Sequence, residues 1–180
     1  MKYDLFEHRH NFSVWAAARA AQRGFTNVDN LRKAIEQCGV KEFLRQADAL
    51  DTSAGEFEDR HRTWCGSVQC FLCDQGVNNS TYGRAAKLIA VYLKSMVVIV
   101  APGTSSLAQV AHPPIDRILL QNLSRSDEVE SDHKAKWGNV NWTQLDAEAY
   151  YILIEQLRDV LPPEAPFWVL EQYWTVTQLT

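Results

Sequence analysis

TYGRAAKLIAVYLKSMVVIV, residues Thr81–Val100, is the most apolar run of the chain, and its reading decides the fold. Ala85, Ala86, Leu88, Ile89, Ala90, Val91, Leu93, Met96 and Val97 leave no wide polar face. A helix that is apolar nearly all round belongs in the middle of a protein, with neighbours on every side. Asn79, Ser80 or Thr81 can cap its start through a side-chain oxygen. Lys87 and Lys94 interrupt the run, and a membrane span needs about 20 apolar residues, so no membrane association is expected. The two lysines lie seven residues apart on nearly the same helical face. They predict one basic edge emerging from an otherwise buried rod.

Outward from that rod, the periodicity is helical on both sides. Asn11 opens a helix with Phe12, Trp15, Ala16 and Ala20 facing inward, ended by Gly24. Thr26 and Asp29 resemble a capping box for a second helix, with Leu31, Ala34, Ile35 and Cys38 as its apolar stripe. A third is predicted over Lys41–Leu50, with Phe43, Leu44 and Ala47 inward, and a fourth by the spacing of Phe57, His61, Trp64, Val68, Phe71 and Leu72. Beyond the rod, a short turn over Leu107–Ala111 precedes His112-Pro113-Pro114, which opens a helix over Ile115–Leu123, since proline is tolerated in a first turn. The segment 124–139 is acidic, polar and aperiodic and predicts a long mobile loop. Leu145, Ala149, Leu153, Ile154 and Leu157 mark a further helix, and Phe167, Trp168, Leu170, Tyr173 and Trp174 a short aromatic one. Nothing alternates with period two for long. The fold class is all-α, as one domain over residues 1–180 with room for two lobes flanking a cleft near Lys87 and Asp116.

Composition bounds the partners. With 46% hydrophobic and 22% charged residues this is an ordinary globular composition. The amino-terminal stretch has no basic start followed by an apolar core, and four cysteines are few for a disulfide scaffold, so a reducing, cytoplasmic location is expected. The formal charge is −4, yet residues 75–126 carry five basic residues against the single acid Asp116. A locally positive face on an acidic chain suits binding an anion along one side.

Two constellations could carry chemistry. His61, Cys65, Cys70 and Cys73 have the residue types of a metal set, but all fall in one helix. At about 100° per residue the first two point away from the last two, so no metal is expected. His8, Arg9 and His10 are read as a solvated cluster. The second constellation is Lys87 with Asp116. A lysine in the first turns of an apolar helix is desolvated towards a usable nucleophile, and an aspartate in the first turn of a helix is favoured as the anion. An amine with a carboxylate beside it can form a Schiff base and stabilise positive charge on a substrate. From spacing alone, a salt bridge joining two helices is the simpler account.

Gly83-Arg84-Ala85-Ala86-Lys87, then Tyr92-Leu93-Lys94 five residues beyond that lysine, then Ile115-Asp116-Arg117, resembles the helix-hairpin-helix DNA glycosylases. Within them the likeness is to the compact, archaeal-type 8-oxoguanine DNA glycosylase/lyases. The resemblance covers roughly residues 80–125 and, more loosely, 145–175. It implies a helix-hairpin-helix element around residues 70–98 and double-stranded DNA with a modified base as partner. It implies that Lys87 attacks the deoxyribose C1′ to form an imine, and that Asp116 assists departure of the base. Tyr82, Gly83, Arg84, Ala85, Lys94 and Arg117 would contact DNA, with the backbone of the 82–86 turn holding a phosphate. Phe167, Trp168 and Trp174 would form the base pocket, and no cofactor is implied. Ala85 stands where the second hairpin glycine is expected, and Lys87 and Asp116 are 29 residues apart, longer than the family spacing. Two alternatives stay open: a non-catalytic helical interaction or regulatory protein, and a DNA-binding relative that has lost catalysis.

Overall fold

The computed structural model describes residues 3–22, 24–46, 48–101, 103 and 105–175. Among them every regular element is helical. In chain order these are α1 (Leu5–Ala21), α2 (Val28–Gln37), α3 (Val40–Leu44), α4 (Ala54–Asp74), α5 (Tyr82–Leu93), α6 (Ser106–Val110), α7 (Arg117–Arg125), α8 (Lys134–Trp137) and α9 (Ala147–Arg158). Short 3₁₀ turns cover Ala49–Asp51, Trp142–Gln144 and Phe167–Tyr173. The fold is all-α. No helix among the described residues is long and apolar enough to cross a membrane.

The apolar rod is the centre of the molecule. Thr81 caps α5, its hydroxyl accepting from the Arg84 N–H at 3.4 Å. From Tyr82 to Leu93 only Arg84 and Val91 escape full burial, so α5 is packed on all sides. It runs on as a π turn over Lys94–Val98, the Ile99 N–H donating to the Lys94 carbonyl at 3.0 Å. The basic edge does not emerge. Lys87 is buried against Asp116 and Lys94 is paired with Glu171, because burying an ammonium is tolerable only beside a carboxylate.

Helix α1 packs on α5 by a different face from the one its large residues suggested. Phe12 and Trp15 are more than half exposed, whereas His10, Ser13, Val14, Ala17, Ala18 and Ala21 are buried. The cap is Asp4, accepting from the Glu7 N–H, so the helix starts about two turns before the one that Asn11 would cap. Small side chains let two helix axes approach closely, and here that outweighs burying two aromatic rings. His10, expected in solvent, is fully buried between the Tyr92 hydroxyl at 2.8 Å and Glu36 at 2.6 Å.

The stripe Leu31, Ala34, Ile35 and Cys38 is buried in α2, although the cap is Asn27 rather than Thr26, and Gly39 takes the left-handed conformation that ends the helix. The helix expected over Lys41–Leu50 is instead two short pieces, α3 and the turn Ala49–Asp51; Phe43 is buried, and Ala47 lies outside the described residues. Helix α4 opens on a full capping box between Ser53 and Glu56. Residues 124–139 are not a mobile loop. Val129 and Trp137 are buried, and the Trp137 indole N–H reaches Gln156 at 3.2 Å, so two apolar anchors order a polar segment.

Candidate functional site

Asp116 enters the site because the extended Pro113-Pro114-Ile115 stretch delays the helix. Helix α7 starts at Arg117, and Asp116 is its N-cap rather than a residue of its first turn. One carboxylate oxygen, Oδ1, accepts from the Ile118 and Leu119 N–H groups at 2.9 and 3.1 Å. The other, Oδ2, accepts from Lys87 Nζ at 3.0 Å and from the Trp174 indole N–H at 3.1 Å. The lysine and aspartate therefore meet, and both are nearly withdrawn from solvent, at 4% and 3% exposure. Burial by itself would raise the Asp116 carboxyl, but the Lys87 ammonium, the Leu119 N–H and Trp174 outweigh it and hold it below the ordinary carboxylate value. The ammonium also sits 4.7 Å above the Trp142 ring, a cation–π contact.

A groove of about 670 Å³ runs along this site, with Asp116, Arg117, Ile118 and Arg84 on one side and residues 138–143 on the other. Arg84 packs its guanidinium on the Phe25 ring at 4.2 Å, and its Nε and Nη1 are buried without a hydrogen-bond partner. Trp142 holds the groove wall to α5. Gly83 donates its N–H to the Leu145 carbonyl at 3.0 Å, and a Cβ on Gly83 would lie 2.0 Å from the Trp142 carbonyl oxygen. Only glycine permits that approach.

The expected DNA contacts divide accordingly. Arg84 and Arg117 share the groove with Asp116. Tyr82, Gly83 and Ala85 are buried. The turn expected to cradle a phosphate has protein acceptors for its donors: Leu145 for Gly83, the Thr81 hydroxyl for Arg84 and the Thr81 carbonyl for Ala85. Lys94 is part of a second ion pair, with Glu171, and its ammonium lies 5.3 Å from the Trp174 ring centroid. Burial raises the Glu171 carboxyl even with Lys94 beside it, and the nearby Asp116 charge adds to the rise.

The three aromatic residues expected around a base do not share one pocket. Trp174 covers Asp116. Phe167 is buried elsewhere, edge-on to His112 at 5.8 Å. Trp168 is half-buried, with its indole N–H buried and without a partner. Residues that sequence reasoning passed over hold the site together: Trp142 under the lysine, and Glu171, whose spacing from Lys94 carries no local signal.

Away from the groove, His61, His112, Tyr82, Tyr150 and Tyr151 form a buried polar-aromatic cluster. His61 Nδ1 bonds the Tyr151 hydroxyl at 2.9 Å, and His112 Nδ1 bonds the Tyr150 hydroxyl at 3.1 Å. Desolvation pulls His61 down to about 3 and His112 well below the usual histidine value, so both are neutral near pH 7. Cys65 lies against His61 with its thiol pushed up by burial, whereas Cys70 and Cys73 are exposed on another side of α4. No group of three or more metal-ligating side chains converges among the described residues. Comparison with protein-family models, with curated proteins and with solved structures yields no match to this chain.

Proposed function

We propose that the chain is a DNA N-glycosylase with an associated abasic-site lyase activity, acting on duplex DNA that carries an oxidised or otherwise modified base. What supports the reading is one contact, Lys87 Nζ to Asp116 Oδ2 at 3.0 Å, beside a groove that also takes Arg84 and Arg117. A buried ion pair is seldom the most stable filling for a core, so such a pair, with Asp116 in the wall of a groove and Lys87 buried against it, marks a candidate site. The sequence resemblance to helix-hairpin-helix glycosylases asks for the same two residues.

The chemistry follows from the pair. The modified nucleotide leaves the base stack to reach the amine. Trp174 releases Oδ2, and Asp116 takes a proton from the Lys87 ammonium. The freed amine attacks C1′, and the bond from C1′ to the base breaks with its electron pair going to the base. Asp116 returns its proton to the departing base and, again an anion, faces the positively charged nitrogen now bonded to C1′. One proton of the attached nitrogen passes to O4′ as the C1′–O4′ bond breaks, leaving a protonated imine between Nζ and C1′. Asp116 then takes a C2′ proton as the C3′–oxygen bond breaks and the 3′ phosphate leaves with its electron pair. Arg84 and Arg117 hold the flanking backbone. Four free thiols suit a reducing compartment such as the cytoplasm.

Borohydride reduction in the presence of duplexes bearing 8-oxoguanine or an abasic site should trap a covalent protein–DNA adduct. Lys87→Gln should abolish the adduct while the far-UV circular dichroism stays helical. Absence of an adduct with every lesion tried would overturn the lyase. A second reading, a non-catalytic helical interaction protein, is favoured by the saturation of Asp116, whose two oxygens already accept four hydrogen bonds. It is distinguished by DNA binding that is absent, or is indifferent to Lys87→Gln and Asp116→Asn.

A further inference from the structure

A second cavity, of about 350 Å³, opens between α4, the end of α6, α9 and the segment leading to Phe167. It shares no lining residue with the groove beside Asp116. Its volume is within the range of about 300–1,000 Å³ usual for small-molecule sites. Three rings line it: Phe57, His112 and Phe167, with His112 edge-on to the other two at centroid separations of 5.0 and 5.8 Å. All three are almost completely buried, so their positions are set by the core.

Among the charged residues of the lining, carboxylates outnumber cations. Glu58, Glu155, Asp159 and Glu164 share it with one cation, Arg158. None of the four acids has an ion-pair partner among the described residues. Arg158 is tied down, donating to the Pro163 carbonyl at 2.9 Å, and holds its guanidinium 5.5 Å from the Phe167 ring centroid. That contact already displays the affinity of this aromatic wall for positive charge. His112 does not oppose it, since burial keeps the imidazole neutral. Phosphates, carboxylates and nucleic acids are disfavoured by the same four charges.

We infer that this cavity binds a small organic ammonium ion, its charge held between the Phe57, His112 and Phe167 rings and the carboxylates of Glu58, Glu155, Asp159 and Glu164. The rings supply cation–π attraction and the acids a complementary field, the combination that recognises alkylammonium groups. This inference is independent of the reaction proposed for Lys87 and Asp116.

Isothermal titration calorimetry of the full chain tests it, with choline and putrescine as the cationic probes. The uncharged isostere of choline, 3,3-dimethylbutan-1-ol, is the control. Saturable binding of a cationic probe is expected, with the isostere weaker by about tenfold or more. The double variant Glu155→Gln/Asp159→Asn should weaken the cation by about tenfold at low salt, and both positions are exposed, so the fold is not at risk. Three results would overturn the assignment: no saturable binding of either cation at millimolar concentration, equal binding of the isostere, or unchanged binding by the double variant.

Discussion

At position 87 an ammonium is held in a protein interior by a carboxylate, and the two partners are not equally dependent on each other. Asp116 without Lys87 keeps two backbone N–H groups and the Trp174 indole. Lys87 without Asp116 loses the carboxylate acceptor 3.0 Å away. Asp116→Ala removes the acceptor of four hydrogen bonds and one half of a buried ion pair and should cost about 3–5 kcal/mol, whereas Lys87→Gln leaves Asp116 three of those bonds and should cost distinctly less. Urea unfolding of both variants checks the order, and equal losses would contradict it. Gly83 is the other residue whose identity is imposed by one neighbour. Gly83→Ala drives a Cβ into the Trp142 carbonyl oxygen, which belongs to backbone and cannot swing away. A loss of about 1–3 kcal/mol or more is expected, read as a lowered thermal midpoint.

Between elements, the α1–α5 contact shows that helix faces are chosen by fit. Ala17 and Ala18 are fully buried on the inner face, while the Phe12 and Trp15 rings stand outside, 5.9 Å apart. Ala18→Leu should destabilise by about 1–3 kcal/mol through overpacking, whereas Phe12→Ser should change stability by no more than about 0.5 kcal/mol. Thermal melts of the two variants would invert if the face assigned by residue size were the packed one. The 3₁₀ turn Phe167–Tyr173 and the residue after it tie the chain back onto α5 and α7. Lys94 pairs with Glu171, Trp174 donates to Asp116, and Asn122 donates to the Tyr173 carbonyl at 2.8 Å. Trp174→Phe should leave the helices intact and speed amide exchange in residues 167–175, as expected for a locally closed segment that has lost one tether.

For the whole molecule, two neutral histidines in the core set the acid limit. The unfolded chain takes up protons on His61 and His112 as pH falls through about 6.5, while the folded chain does not until about pH 3 for His61 and well below 6.5 for His112. Their stabilising contribution is complete above pH 6.5 and declines below it, by about 1.4 kcal/mol per pH unit for each histidine. Urea unfolding at about pH 7, 6 and 5 should show this slope, and a flat profile would mean that the histidines are reached by water.

Helical spacing, cap residues and one uniformly apolar run carried the all-α architecture in the order of the residues, because those signals are local. The stripe Leu31, Ala34, Ile35 and Cys38 and the burial of α5 are local in that sense. What depended on neighbours far along the chain was decided by tertiary packing. The inner face of α1 runs through alanines because α5 lies close. Residues 124–139 are ordered because Val129 and Trp137 find the core. Lys94 meets a carboxylate 77 positions away, and a basic edge becomes two ion pairs. The sequence could nominate Lys87 and Asp116, since each is odd in its own surroundings. Only the folded chain could bring an amine and a carboxylate 29 positions apart to one hydrogen bond, because distance through space is set by how every other side chain packs.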